Sequence, residues 1–215
     1  MSSRWKKVWA DFWGNKTRTL LTILIIMVGT FSVGATNNLR LYMSENLERD
    51  FLSAKPSEAT INTSPLDDDL VKIARRVPGV EAVEGRSTLN ASLIHTDGKP
   101  ISVQFIALED PSTLTVNLLK PTKGETEIPA LADKQILVDS AVAILGYEPG
   151  DTLSIELSSG KHRQLILAGY MHDITSPPYG GAWGNIIYAY VTPETIEWLG
   201  GSRLYNILAV SVTEN

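Results

Sequence analysis

The 215-residue chain contains no cysteine. Disulfides, cysteine-ligated zinc, iron–sulfur clusters and thiol nucleophiles are therefore excluded, and any folded domain must be held by its apolar core alone. Histidine is nearly as scarce. His95, His162 and His172 are scattered, with neither H-E-x-x-H nor H-x-x-x-H spacing, and read as surface or turn residues. His172-Asp173 has the composition of an acid–base pair, but adjacent residues rarely face each other productively. There is no G-x-S-x-G nucleophile elbow and no G-x-x-x-x-G-K-[ST] phosphate loop, so ATP binding in that mode is excluded. No catalytic, cofactor-binding or metal-ligating residue is assigned, and the chain is not expected to be an enzyme.

Charge is missing from one long stretch. Residues 19–38 (TLLTILIIMVGTFSVGATNN) carry no Asp, Glu, Lys or Arg. Leu20, Leu21, Ile23, Leu24, Ile25, Ile26, Val28, Phe31 and Val33 form its apolar centre. On a membrane-insertion scale these residues together favour the bilayer by about 4 kcal/mol, which a single central arginine would nearly cancel. About 20 helical residues cross a bilayer core, and this run supplies them. Ahead of it stand Arg4, Lys6, Lys7, Lys16 and Arg18 against Asp11, a net of +4 in a chain of overall charge -5, which leaves -9 for the rest. A basic leading end before an apolar run predicts a cytoplasmic N-terminus with the body on the far side of an inner or plasma membrane. The acidic body would repel phosphates, so nucleic acid is not an expected partner and membrane lipid is.

Trp5, Val8, Trp9, Phe12 and Trp13 recur at one-face helical spacing, which predicts an interfacial helix over residues 3–14 with Gly14-Asn15 as the elbow into the span. An unstructured basic tail is the plainer alternative. A cleaved signal peptide competes with the anchor, since Val33-Gly34-Ala35 has the small residues of a cleavage site. The long basic region with three tryptophans favours the uncleaved anchor. Beyond the span, Leu39, Tyr42, Met43, Leu47 and Phe51 continue the helical spacing as an amphipathic stalk whose stripe needs a partner, and Ala54-Lys55-Pro56 ends it.

The remainder reads as short strands and helices. Residues 58–63 predict a strand. Ser64 as N-cap and Pro65 at N1 predict a helix with Asp67, Asp68 and Asp69 at its positive end and Leu66, Leu70, Ile73 and Ala74 as its buried stripe. The aspartate triplet invites a metal-site reading, but consecutive helical residues point apart. Strands are expected over 80–83, 88–95 and 101–108, the last two joined by an Asp97-Gly98 hairpin turn. Residues 114–128 look like an irregular crossing. After it come a strand at 136–138, a brief helix at 140–145, a hairpin of 152–157 with 163–169, a strand at 186–191, a helix capped by Thr192, and a last strand at 204–212 able to rejoin the first sheet. Gly180-Gly181-Ala182-Trp183-Gly184, after Pro177-Pro178-Tyr179, is either a long hairpin tip or an aromatic loop that meets a partner. The fold class expected is α+β: an N-terminal transmembrane helix and stalk followed by a two-subdomain extracytoplasmic α+β domain. The boundaries expected are 1–18 for the interfacial helix, 19–38 for the span, 39–55 for the stalk, 56–113 with 203–215 for the first subdomain, and 114–202 for a second, mostly β subdomain.

Three stretches together resemble the MacB/FtsX-like family of ABC transporter permeases. Residues 15–24 (NKTRTLLTIL), with Gly29 further on, look like the approach to that family's first span. Residues 69–83 (DLVKIARRVPGVEAV) are similar to the helix and P-G-V-E-x-V turn of its extracytoplasmic core domain. Residues 134–173 follow that domain's hairpin pattern, through Ile136-Leu137-Val138 and Gly146-Tyr147-Glu148-Pro149-Gly150-Asp151. The resemblance implies a porter-like first subdomain and no enzymatic site. It also implies a cytoplasmic ABC ATPase and a second permease copy as partners, and stalk helices that pass ATP-driven motion outward. Substrates in the family include lipoproteins, peptides and drugs, and none is assigned. The family's three later spans have no counterpart here, nor does the core domain's last helix and strand, so a truncated permease, a fragment or one piece of a split gene is expected. A single-pass receptor or scaffold with an extracytoplasmic binding domain is the alternative. A secreted enzyme is a weaker third reading, because no catalytic cluster supports it.

Overall fold

A single uninterrupted helix, α1, runs Lys16–Ser53 in the computed structural model, which describes residues 16–180 and 184–213. An 18-residue window within its Lys16–Arg40 stretch has a mean hydropathy of 2.0, and the stretch is long and apolar enough to cross a membrane. At 1.5 Å per residue it reaches about 37 Å, more than a hydrocarbon core of about 30 Å. The apolar side chains are exposed along the run, Ile25 at 71% and Phe31 at 74%. Two hydroxyls in it bond within the helix: Thr22 Oγ1 donates to the Arg18 carbonyl at 3.0 Å and Thr36 Oγ1 to the Ser32 carbonyl at 2.8 Å. The interfacial helix expected over 3–14 lies outside the described residues, as do the side chains of Tyr42 and Met43. Leu39, Leu47 and Phe51 of the stalk stripe are exposed.

The chain divides into two units, Met1–Arg49 and Asp50–Asn215. The second contains a small sheet and a barrel. The sheet has order β1-β9-β2, with β1 Ala59–Leu66, β2 Val80–Arg86 and β9 Tyr205–Val212, all antiparallel. Helix α2, Asp68–Ala74, packs on it around Leu66, Val71 and Val83. The last strand thus enters the first sheet as its centre.

Two details of α2 correct the sequence reading. Ser64 and Pro65 lie in β1, and the cap is Asp67, whose side chain accepts from the Leu70 amide at 3.2 Å. Pro65 is tolerated because β1 is an edge strand and Pro65 falls where its register with β9 shifts, so no ladder donor is required of it. The buried stripe also differs. Val71 is 4% exposed, whereas Leu70 is 52% and Ile73 59% exposed. A two-turn helix against three strands turns one narrow face inward, and Leu70 and Ile73 share its outer flank.

The barrel closes in the order β3-β4-β8-β5-β7-β6. Its strands are β3 Thr88–Ile94, β4 Pro100–Ala107, β5 Gln135–Asp139, β6 Thr152–Leu157, β7 His162–Met171 and β8 Ile186–Val191. β4 runs parallel to β8, and β5 parallel to β7; the remaining neighbours are antiparallel. Alternate residues fill the interior, among them Val103, Phe105, Leu153, Ile155, Leu165 and Leu167, each at most 4% exposed. A void among these side chains, lined by Leu93, Val103, Ile155 and Leu167, has a volume of ≈10 Å³, about that of one water-sized probe, and the side chains around it form a packed core. Thr192 caps α3, Pro193–Trp198, as its sequence predicts, accepting from the Thr195 amide at 3.2 Å.

The β3–β4 hairpin forms as expected, with Ile94 opposite Pro100. It belongs to the barrel and not to the first α+β layer, because β3 pairs with β6 and β4 with β8. The sheet therefore takes its strands from 59–86 and 205–212, and the division at residue 113 does not follow the strand pairing. The segment between β4 and β5 is also more than a crossing. Leu108, Leu119, Ile128 and Leu131 lie along it and pack over the outside of the barrel against Leu137, Met171 and Tyr190. Gly169 admits it: a Cβ there would stand 2.7 Å from Pro129 Cγ.

Candidate functional site at the helix end

His95 and His172 each have a side-chain neighbour. His95 Nδ1 is 3.0 Å from the Tyr147 hydroxyl, with the two rings edge to face. His162 is exposed at the start of β7. The His172-Asp173 pair is split between two partners. His172 Nδ1 lies 3.4 Å from Asp139 Oδ2, while Asp173 Oδ2 accepts from the Tyr190 hydroxyl at 2.7 Å. Among the described residues no group of three or more His, Asp or Glu is gathered as a metal site. Tyr179 packs against the barrel core, the Gly180 amide donates to the Gly184 carbonyl at 2.8 Å, and residues 181–183 of that loop lie outside the described residues.

Asp139 and Asp173 are buried carboxylates; sequence reading passed over Asp139 and weighed Asp173 only as a partner of His172. Asp139 caps the 3-10 turn Ser140–Leu145 through the Ala141 amide at 2.8 Å and accepts from the Asp173 amide at 2.8 Å. Asp173 further accepts from the Thr175 hydroxyl at 2.7 Å and from the Thr175 and Ser176 amides. Burial first, and the Asp173 charge second, hold the Tyr190 hydroxyl well above its ordinary pKa. The Asp-Ser-Ala sequence at 139–141 is a cap signal that was available in advance. The network needs no ligand to be satisfied.

A further polar arrangement surrounds the end of α1. Residues 115–120 run as a strap past the last helical turn. The Leu118 amide donates to the Ala54 carbonyl at 2.7 Å, and the Asn117 amide to the Lys55 carbonyl at 2.8 Å. Asn117 Oδ1 accepts from the Ser57 amide at 2.7 Å, and Asn117 Nδ2 donates to Ser57 Oγ at 3.2 Å. Lys120 Nζ donates to Ser53 Oγ at 2.6 Å and to the Asp50 carbonyl at 3.2 Å, 3.6 Å from the Asp50 carboxylate. The same strap reaches the small sheet. Glu84 Oε2 of β2 accepts from the Thr115 and Val116 amides at 3.3 and 3.2 Å, and Arg86 Nη2 donates to the Val116 carbonyl at 3.0 Å. It also reaches the barrel, where Lys120 and His172 exchange backbone hydrogen bonds of 3.0 and 2.8 Å. Val116 and Ala54 are fully buried here, and Leu119 is 8% exposed. Lys55 and Asn117 both have positive φ, 48° and 53°. Asparagine suits the left-handed region, while lysine does not.

The family model described as the MacB-like periplasmic core domain matches residues 19–213. Among solved structures, the periplasmic region of MacB from Actinobacillus actinomycetemcomitans aligns at 11% identity and a TM-score of 0.42, over 73% of this chain and 74% of that one. The extracellular domain of the noncanonic ABC-type transporter YknZ from Gram-positive bacteria aligns at 12% identity and a TM-score of 0.42, over 75% and 81%. No curated protein matches the chain.

Proposed function

Because the chain belongs to the family of the MacB-like periplasmic core domain, we propose that it is a permease component of an ABC-type export or mechanotransmission system, with its extracytoplasmic domain meeting substrate or partner proteins. One observation carries this reading. The helix long enough to cross a membrane continues without a break to Ser53, where the strap at 115–120 binds its last turn to both the sheet and the barrel. A membrane-crossing helix whose last turn is bonded to the outer domain is what passing motion across a bilayer requires. The N-terminus is cytoplasmic in this reading, the body extracytoplasmic, and the partners are a cytoplasmic ABC ATPase and a second permease copy. The role needs no catalytic step in this chain.

The second reading, a single-pass receptor or scaffold, draws on an open polar concavity of ≈540 Å³ over β3 and β6, lined by Asn90, Ser92, Pro100, Glu156 and Ser158. Affinity purification of the tagged chain from its own membranes in mild detergent separates the two. The permease reading expects a phosphate-loop ATPase to co-purify and its ATP hydrolysis to change when the chain is removed. An ATPase-free preparation whose outer domain instead retains a ligand overturns it.

A further inference from the structure

Polypeptide continuity alone would leave the helix end free to swivel at Lys55-Pro56, since the helix stops there and the chain turns. Instead the strap at 115–120 forms hydrogen bonds to three separate elements. Backbone and side-chain bonds join it to Asp50, Ser53, Ala54, Lys55 and Ser57 at the helix end. The Glu84 carboxylate and the Arg86 guanidinium join it to β2. The bridge to His172 joins it to the end of β7. Strained backbone gathers at the same place. Three non-glycine residues have positive φ among the described residues, and two of them, Lys55 and Asn117, are bonded to each other. Such outliers persist only where surrounding contacts over-determine them, and they concentrate where strain serves function.

We infer that residues 115–120 are the coupling strap of this protein, and that Lys120 is a positioning residue through which the helix end sets the orientation of the barrel. This deepens the permease reading and rests on it for its purpose, though not for its test. Lys120 is suited to the task because its backbone is bound to His172 while its ammonium holds the last turn of α1. One residue therefore bridges the helix end and the barrel. Leu119 beside it is buried against Met171 and Tyr190, so the strap does not slide along the barrel when the helix end is pulled.

The absence of native cysteine makes the test direct. Leu52→Cys, in the exposed last turn, and Ser159→Cys, in the exposed β6–β7 turn, accept a pair of spin labels in the full chain in lipid nanodiscs. The otherwise native chain is expected to give one narrow distance distribution. Lys120→Met keeps the aliphatic stem and removes the ammonium. It is expected to broaden that distribution at least twofold while the barrel's melting temperature stays unchanged, and Lys120→Arg is expected to restore the narrow form. An unchanged width in Lys120→Met overturns the inference. So does broadening that Lys120→Arg fails to reverse. Should Lys120→Met fail to fold, hydrogen exchange on the unmodified chain decides. The Asn117 and Leu118 amides, bonded to the helix end, are expected to exchange within tenfold of the Lys120 and His172 amides. Exchange a hundredfold faster at Asn117 and Leu118 means that the helix end opens without the strap, and the inference falls. None of these measurements involves an ATPase, so the permease reading fails separately, by the purification described above.

Discussion

Tyr190 concentrates the residue-scale logic of the barrel wall. Its side chain is 1% exposed, its hydroxyl has Asp173 as its acceptor at 2.7 Å, and Asp173 is itself 3% exposed. Removing the hydroxyl leaves a buried carboxylate one donor short, so Tyr190→Phe is expected to cost about 1–3 kcal/mol at neutral pH. The pH dependence follows from the raised pKa. Below about pH 10 the tyrosine is protonated whether the chain is folded or unfolded, and its contribution is constant. Above that the unfolded chain releases the proton while the folded barrel keeps it. The unfolded state then binds fewer protons and stability falls as pH rises. The phenylalanine variant lacks this loss. Urea unfolding of the full chain in detergent, followed by near-ultraviolet circular dichroism, should give a stability gap that is level from pH 7 to 9 and narrows above 10. A gap that widens in alkali means that the hydroxyl is not held as described.

At the scale of elements, α2 provides the sharpest contrast between what a pattern predicts and what packing selects. The spacing of Leu66, Leu70, Ile73 and Ala74 marks a helix face, and of these only Leu66 is fully buried, from the preceding strand. Val71 fills the core instead. Val71→Ala is therefore expected to destabilise by about 1–3 kcal/mol, while Leu70→Ala stays within about 0.5 kcal/mol; equal costs in the same unfolding assay would return Leu70 to the core. Elements whose signals are local were legible in the sequence: the charge-free span, the Asp97-Gly98 hairpin, and α3 with Thr192 and Pro193 at its start. The barrel was not. Its closure depends on the parallel pairings of β4 with β8 and of β5 with β7, which join strands far apart in the chain and leave no mark in either strand's own alternation. The strap was missed for a related reason. Residues 114–128 are polar and irregular taken alone, and the importance of Asn117 and Lys120 arises from partners at 50–57 and at 172. Only Asn117, a residue type tolerant of left-handed backbone, offered a hint.

For the whole molecule, the cytoplasmic N-terminus proposed above rests on where charge is placed and not on how the folded parts are arranged. The five basic residues that precede the span resist translocation, and the acidic body after it imposes no comparable barrier, since acidic residues contribute little to topology. This charge distribution sets the fate of each segment when protease is added to intact spheroplasts. Everything after Phe51 should be degraded, while a tag at the N-terminus stays protected until detergent is added. Ile25→Arg supplies the control. It puts a charge of roughly +3 kcal/mol at the centre of a run whose favourable insertion energy is about 4 kcal/mol, so carbonate-washed membranes should lose the chain. If the variant remains in the membrane pellet, Lys16–Arg40 is not what holds the protein there. If the unsubstituted body is protected and the tag is cleaved, the basic end lies outside, and the strap would face the wrong side of the membrane to carry motion outward.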